Sequence, residues 1–106
     1  MDSANAAKTL LVEVVRIEGR CDAYEVGDSF RVERGWLLVV ERPVCMHALA
    51  ALLPYYVALS RGVTPRELGL AREGGEGSDA AFLRCPDPCD ITGGGSVTFR
   101  VRTIEG

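Results

Sequence analysis

Polar and hydrophobic residues alternate near both ends of the chain and follow a helical spacing in between. Ser96 to Ile104 sets Val97, Phe99 and Val101 against Ser96, Thr98, Arg100 and Arg102, the period-two pattern of a half-buried strand. Ser29 to Glu33 repeats it on a smaller scale, with Phe30 and Val32 on one side. Thr9 to Glu18 carries Leu10, Val12 and Val14 on one face and Leu11, Glu13, Val15 and Ile17 on the other. Its β-branched content predicts a strand covered on much of both faces. Arg34-Gly35 reads as a tight turn into a third extended run, Trp36 to Val40, and Ala81 to Leu83 reads as a short fourth.

Pro43 closes the first extended region. From Val44 to about Arg61 the Ala/Leu-rich composition favours helix, and Leu49, Leu52, Leu53, Tyr56 and Leu59 form a wide apolar stripe. Pro54 lies inside it. It removes a backbone donor and predicts a kink or a second short helix, and Gly62 predicts the cap. Thr64-Pro65-Arg66-Glu67 spells a capping box with proline at the first helical position, opening one turn through Leu70. Arg72 to Asp79 reads as a glycine-rich acidic loop and Gly93-Gly94-Gly95 as a hinge or turn. Together these elements predict an α+β fold: a tail over residues 1–8, then one domain over 9–106, with a Pro-kinked helical segment on a mostly antiparallel sheet.

Length and charge narrow the function. A chain of 106 residues supports one modest core. A net charge of −3, with arginines scattered among acids, forces no basic face and argues against nucleic acid. The N-terminus has no signal-peptide pattern, and the apolar run over 44–59 is too short and too polar to span a bilayer. No membrane partner and a cytoplasmic location are therefore expected. In that compartment the four cysteines read as thiols, metal ligands or redox groups in preference to disulfides. A serine hydrolase is disfavoured by the absence of a Gly-x-Ser-x-Gly element, and a nucleotide site by the absence of either phosphate-loop pattern.

The densest chemistry lies in Arg84-Cys85-Pro86-Asp87-Pro88-Cys89-Asp90, a proline-stiffened turn carrying two thiols and two carboxylates. Cys21, Cys45 and Cys85 each fall at a junction: after the first strand, at the start of the helical segment, and before the last strand. Antiparallel topology can gather such junctions at one end of a sheet. Three loop thiols converging with sulfurs within roughly 7 Å would suit an iron–sulfur cluster or zinc. Dispersed single cysteines resemble cluster cradles more than the paired knuckles of zinc sites, so the iron–sulfur cluster is the expected cofactor and zinc the alternative. Cys89 is the candidate fourth ligand or a resolving thiol. His47 and Asp87 are candidates for supporting the ligands or touching substrate. Arg20 and Arg84 are candidates for holding a small anionic or sulfur-containing substrate at an open metal position.

The plainer readings stand beside these. Cysteine often just fills a core, and no Cys-x-x-Cys pair is present. A lone histidine in an Ala/Leu helix is more often half-buried and hydrogen-bonded than a ligand. Trp36, Tyr55 and Tyr56 read as core or interface aromatics, and Asp87 and Asp90 as turn residues. On this view the protein is a non-catalytic homo-oligomeric binding module with buried or redox-active thiols.

Cys21, Val26-Gly27-Asp28, Cys45, His47, Pro54-Tyr55, Gly62, Cys85-Pro86-Asp87-Pro88 and Phe99-x-Val101 cover nearly the whole chain. With them the chain resembles a small uncharacterised family of bacterial and archaeal proteins of about one hundred residues. Cys-Pro-Asp-Pro is its most specific element. In that family the first two cysteines tend to precede proline, whereas here they precede Asp22 and Met46, and Cys89 is an addition. The resemblance implies a shared fold and no particular activity.

Overall fold

The computed structural model describes residues 7–73, 80–85 and 89–104, with the backbone alone at Cys89 and Asp90. Strands β1 (Thr9–Gly19), β2 (Ser29–Glu33), β3 (Leu37–Val39), β4 (Ala80–Arg84) and β5 (Gly95–Ile104) form one antiparallel sheet in the order β3-β2-β1-β5-β4. Helices α1 (Met46–Leu52), α2 (Tyr56–Ser60) and α3 (Cys89–Thr92) complete the described elements. The expected α+β architecture is what the chain adopts.

Strand β1 is central because it is long enough to pair with β2 on one side and along its whole length with β5 on the other. The two-faced reading of this strand needs correction. Leu10, Val12 and Val14 are buried, while Leu11, Glu13 and Val15 are only half-buried. Between Val14 and Arg16 the register with β5 shifts, because Val15 is the extra residue of a bulge. The shift reverses the phase of the strand, so Ile17 packs against the core on the same face as Val14. From β5, Val97, Phe99 and Val101 meet these side chains at exposures of 2% or less.

The helices cover that apolar face. Ala48 and Leu52 of α1 and Leu59 of α2 are buried against it. Pro54 separates the two helices, as its missing N–H requires. At the end of α2 the Gly62 amide bonds the Leu59 carbonyl and the Val63 amide bonds the Ala58 carbonyl, the paired bonds of a Schellman cap, with Gly62 at φ 93°. Thr64 and Glu67 form the expected reciprocal box: the Glu67 amide donates to Thr64 Oγ1 at 3.1 Å and the Thr64 amide to Glu67 Oε1 at 3.2 Å. The residues behind it stay a run of turns.

The other face of the sheet is laced with charge. Arg100 and Arg102 both donate to Glu13 Oε1, and Arg16 pairs with Glu18 at 2.7 Å. At one edge, Leu70 accepts from the Phe82 amide and Arg72 stacks on the Phe82 ring, which shields β4. At the other edge, Trp36 lies mostly exposed beside the three-residue β3, which removes the core alternative for it, while Tyr55 and Tyr56 pack against the core. One element was not expected. Cys89–Thr92 is a short helix where the prolines had suggested a turn alone, and Gly93 at φ 75° follows it. The bulk of the tail (1–6) and of the acidic loop (74–79), together with Pro86, Asp87 and Pro88, lie outside the described residues. No helix among the described residues is long and apolar enough to cross a membrane.

Candidate functional site

At the C-terminal end of β1 three loops meet. The chain leaves β1 at Gly19 and runs directly beneath the start of β5, where the Arg20 amide donates to the Gly94 carbonyl. The crossing is tight. A Cβ on Gly95 would lie 2.4 Å from both the carbonyl carbon and oxygen of Arg20 and 2.8 Å from the Cys21 nitrogen, so only glycine lets the two backbones approach this closely. That contact fixes where Cys21 sits.

Tyr24 anchors the second loop. Its ring meets Phe99 edge-on, with centroids 5.7 Å apart and planes at 89°. Its hydroxyl oxygen accepts the Cys45 amide at 2.8 Å. Burial raises the Tyr24 pKa above its usual range, so the neutral hydroxyl is the form that receives this bond. Cys45 is the N-cap of α1, and its carbonyl accepts the Ala48 and Leu49 amides. The start of the helix is thereby tied to the loop after β1.

Cys85 follows the last residue of β4 and is buried. Its amide donates to the Val97 carbonyl at 3.0 Å, as a ladder residue should. The return bond is unusual: the Val97 amide donates to Cys85 Sγ at 3.1 Å, and the same sulfur lies 3.9 Å from the Gly95 carbonyl oxygen. The thiol therefore sits in a fixed orientation against the first residues of β5.

Cys21, Cys45, Cys85, His47 and Arg20 all line one pocket of about 280 Å³, floored by Tyr24, Val97 and Phe99. Three cysteines 24 and 40 positions apart in sequence are thus gathered by the fold, as their junction positions suggested. They stop short of a ready-made ligand set, since among the described residues no three His, Cys, Asp or Glu side chains stand together where they could hold a metal. All three are free thiols. His47 is exposed at the rim in place of the half-buried setting expected of a lone helical histidine. Arg20, also at the rim, is 3.5 Å from Asp22 with both side chains largely in water.

Arg84 is not brought to the pocket. Its neighbour Leu83 points into the core, so alternation sends Arg84 to the charged face, where it donates to Ser96 Oγ and lies 3.7 Å from Glu18. Asp87 and the Cys89 side chain lie outside the described residues, although the backbone of Cys89 begins α3 close in sequence to the pocket wall at Gly94. Sequence reasoning missed Tyr24 and Gly95. Tyr24 sits in a loop with no pattern to mark it, and Gly95 was hidden inside a glycine triplet that resembled an ordinary hinge. Comparison of the chain with protein-family models, with curated proteins and with solved structures finds no match.

Proposed function

We propose that the pocket between Cys21, Cys45 and Cys85 is the seat of a cysteine-ligated metallocentre, an iron–sulfur cluster in preference to zinc, in a cytoplasmic protein. The observation that carries this reading is the gathering of three loop cysteines and the one histidine around a single pocket. Its chemistry fits a soft metal: thiolates are the ligands that select iron–sulfur clusters and zinc. The Val97 amide aimed at Cys85 Sγ is the kind of hydrogen bond that tunes a ligating sulfur, and the apolar floor limits access of water. The thiols are not pre-set in ligand positions, so binding on this reading draws the β1–β2 loop and the start of α1 inward and adds to folding stability. Cys89 supplies the fourth ligand or a resolving thiol.

A cluster with one iron open to solvent supplies a Lewis acid. The chain's own contribution is then positional. Arg20 at the rim attracts a small anionic or sulfur-containing substrate, and His47 offers a hydrogen bond or a proton at the pocket mouth. The test is anaerobic expression followed by iron, zinc and acid-labile sulfide analysis per chain beside the visible spectrum. Brown protein that loses its colour in Cys45→Ser is expected. Colourless protein without either metal, even after reconstitution with iron and sulfide, overturns the proposal, and zinc without sulfide moves it to a zinc site.

A second reading has its own observation. Val32, Trp36, Leu38, Leu49, Leu53 and Tyr56 line an apolar groove beside the β3 edge, with Trp36 67% and Leu53 61% exposed. A non-catalytic homo-oligomer would bury this surface against a second copy. Sedimentation equilibrium at micromolar concentration separates the two: a dimer abolished by Trp36→Ser supports an assembly role, and a monomer removes it.

A further inference from the structure

Strand β3 is an open sheet edge. We propose that a second copy of this chain docks on it strand to strand, β3 antiparallel to β3 about a two-fold axis at Leu38. This rests on the assembly reading of the Trp36 groove and adds how the two copies meet. β3 pairs with β2 on one side, and among the described residues no backbone bond reaches Leu37–Val39 from the other. An edge strand leaves alternate amides and carbonyls pointing outward, which is what another strand requires. The far edge of the sheet differs, since Leu70 and Arg72 lie against Phe82 of β4. One open edge per chain makes a closed pair and not a fibre.

The side chains reinforce this. Leu38 stands opposite buried Val32, so it faces the helix side of the sheet. Alternation puts Trp36 and Val40 on that side as well, and Trp36 and Leu38 line the apolar groove with Leu49, Leu53 and Tyr56. Leu38 and Val40 are 39% and 41% exposed, a row that edge strands of single chains normally interrupt with charge. The stretch is also complementary to itself. Turned antiparallel about Leu38, it sets Leu38 beside Leu38 and the broad Trp36 beside the small Val40 on one face. Its ends carry opposite charge, Arg34 before the apolar row and Glu41 after it. Both are exposed, and neither forms an ion pair with another described residue. The same turn brings the Arg34 end of each copy to the Glu41 end of the other. A strand of unrelated sequence would match the ladder but not both ends. An axis normal to the sheet keeps both helix layers on one side, so the two grooves open toward each other.

The test is nuclear magnetic resonance on an equal mixture of ¹³C-labelled and unlabelled full chain, under reducing conditions that prevent disulfide-linked pairs. Contacts between copies are expected from the Trp36 ring to the Val40 methyls and along β3, with amide exchange in β3 slowing as concentration rises. Leu38→Lys should weaken the dimer at least about tenfold, and the variant's own spectrum reports that it is folded. Arg34→Glu should weaken it about fivefold, since two symmetric ion pairs become repulsive, and adding Glu41→Arg should restore it. A monomer at millimolar chain overturns the pairing and the assembly reading together. A dimer whose contacts between copies come from Leu53 and Val57 without β3 overturns the pairing and leaves the assembly reading standing. No loss in Arg34→Glu, or no recovery in the double variant, overturns the antiparallel match of the ends. Contacts from Trp36 to residues 1–6 of its own chain would mean that the groove is filled from within, and would overturn the proposal.

Discussion

The two ends of β1 solve the problem of building a pocket in different ways. At the C-terminal end the walls are set by backbone crowding and by a buried hydrogen bond: Gly95 against Arg20, and Tyr24 beneath the Cys45 amide. At the N-terminal end they are set by a helix cap: Gly62 after α2, beside an apolar floor of Leu10, Leu59 and Val101. The first arrangement positions reactive atoms closely and tolerates little change. The second leaves room around its cap and tolerates more. A chemical role is thus expected where the backbone is locked.

The most severe test of that contrast is Gly95→Ala. The new methyl would meet backbone atoms at 2.4 Å, which no rotation of a side chain can relieve. The variant should lose about 3 kcal/mol of stability, read by urea denaturation, through displacement of the Arg20–Cys21 segment. Metal loading at the thiol pocket should fall with it. If Gly95→Ala costs less than about 1 kcal/mol, the crossing is not the constraint described.

Tyr24→Phe comes next. It keeps the ring on Phe99 and removes the hydroxyl oxygen that accepts the Cys45 amide. A half-buried amide left without a partner costs about 1–2 kcal/mol. Faster hydrogen exchange is expected at Cys45 and the first turn of α1, with the Schellman cap of α2 unchanged. Gly62→Ala gives the matching value at the other end. No atom lies within 4 Å of the added Cβ, so the change acts only through the left-handed φ of 93° and should cost about 1 kcal/mol. A larger loss at Gly62 than at Gly95 would invert the comparison.

The same contrast governs what the sequence made legible. The strands, the break at Pro54, the cap at Gly62 and the box at Thr64 and Glu67 are all encoded within a few residues of where they act, so period and capping rules reach them. The gathering of Cys21, Cys45 and Cys85 was legible as topology, because all three mark junctions. The bulge at Val15 was not, since Val14 and Val15 are both apolar and β-branched and either could face the core. Arg84 was read by its nearness to Cys85 in sequence, yet neighbouring strand residues point to opposite faces, and it serves the charged side of the sheet. The pocket around Lys8 was invisible for a different reason. Its lining residues Lys8, Leu59, Arg66 and Val101 lie far apart in sequence, and only the folded chain gathers them.

Glu13→Gln should have the smallest effect, and it probes the charged face of the sheet. Burial pushes the Glu13 carboxyl up, but hydrogen bonds and charge from Arg100 and Arg102 outweigh it and hold its pKa below 4.5. A carboxyl depressed by folding contributes stability in full above its unfolded pKa and loses it as pH falls through the folded value. Wild type should therefore exceed Glu13→Gln by about 0.5–1 kcal/mol at pH 7, and the gap should close at pH values below the folded pKa. Thermal melts of both proteins across that range measure it.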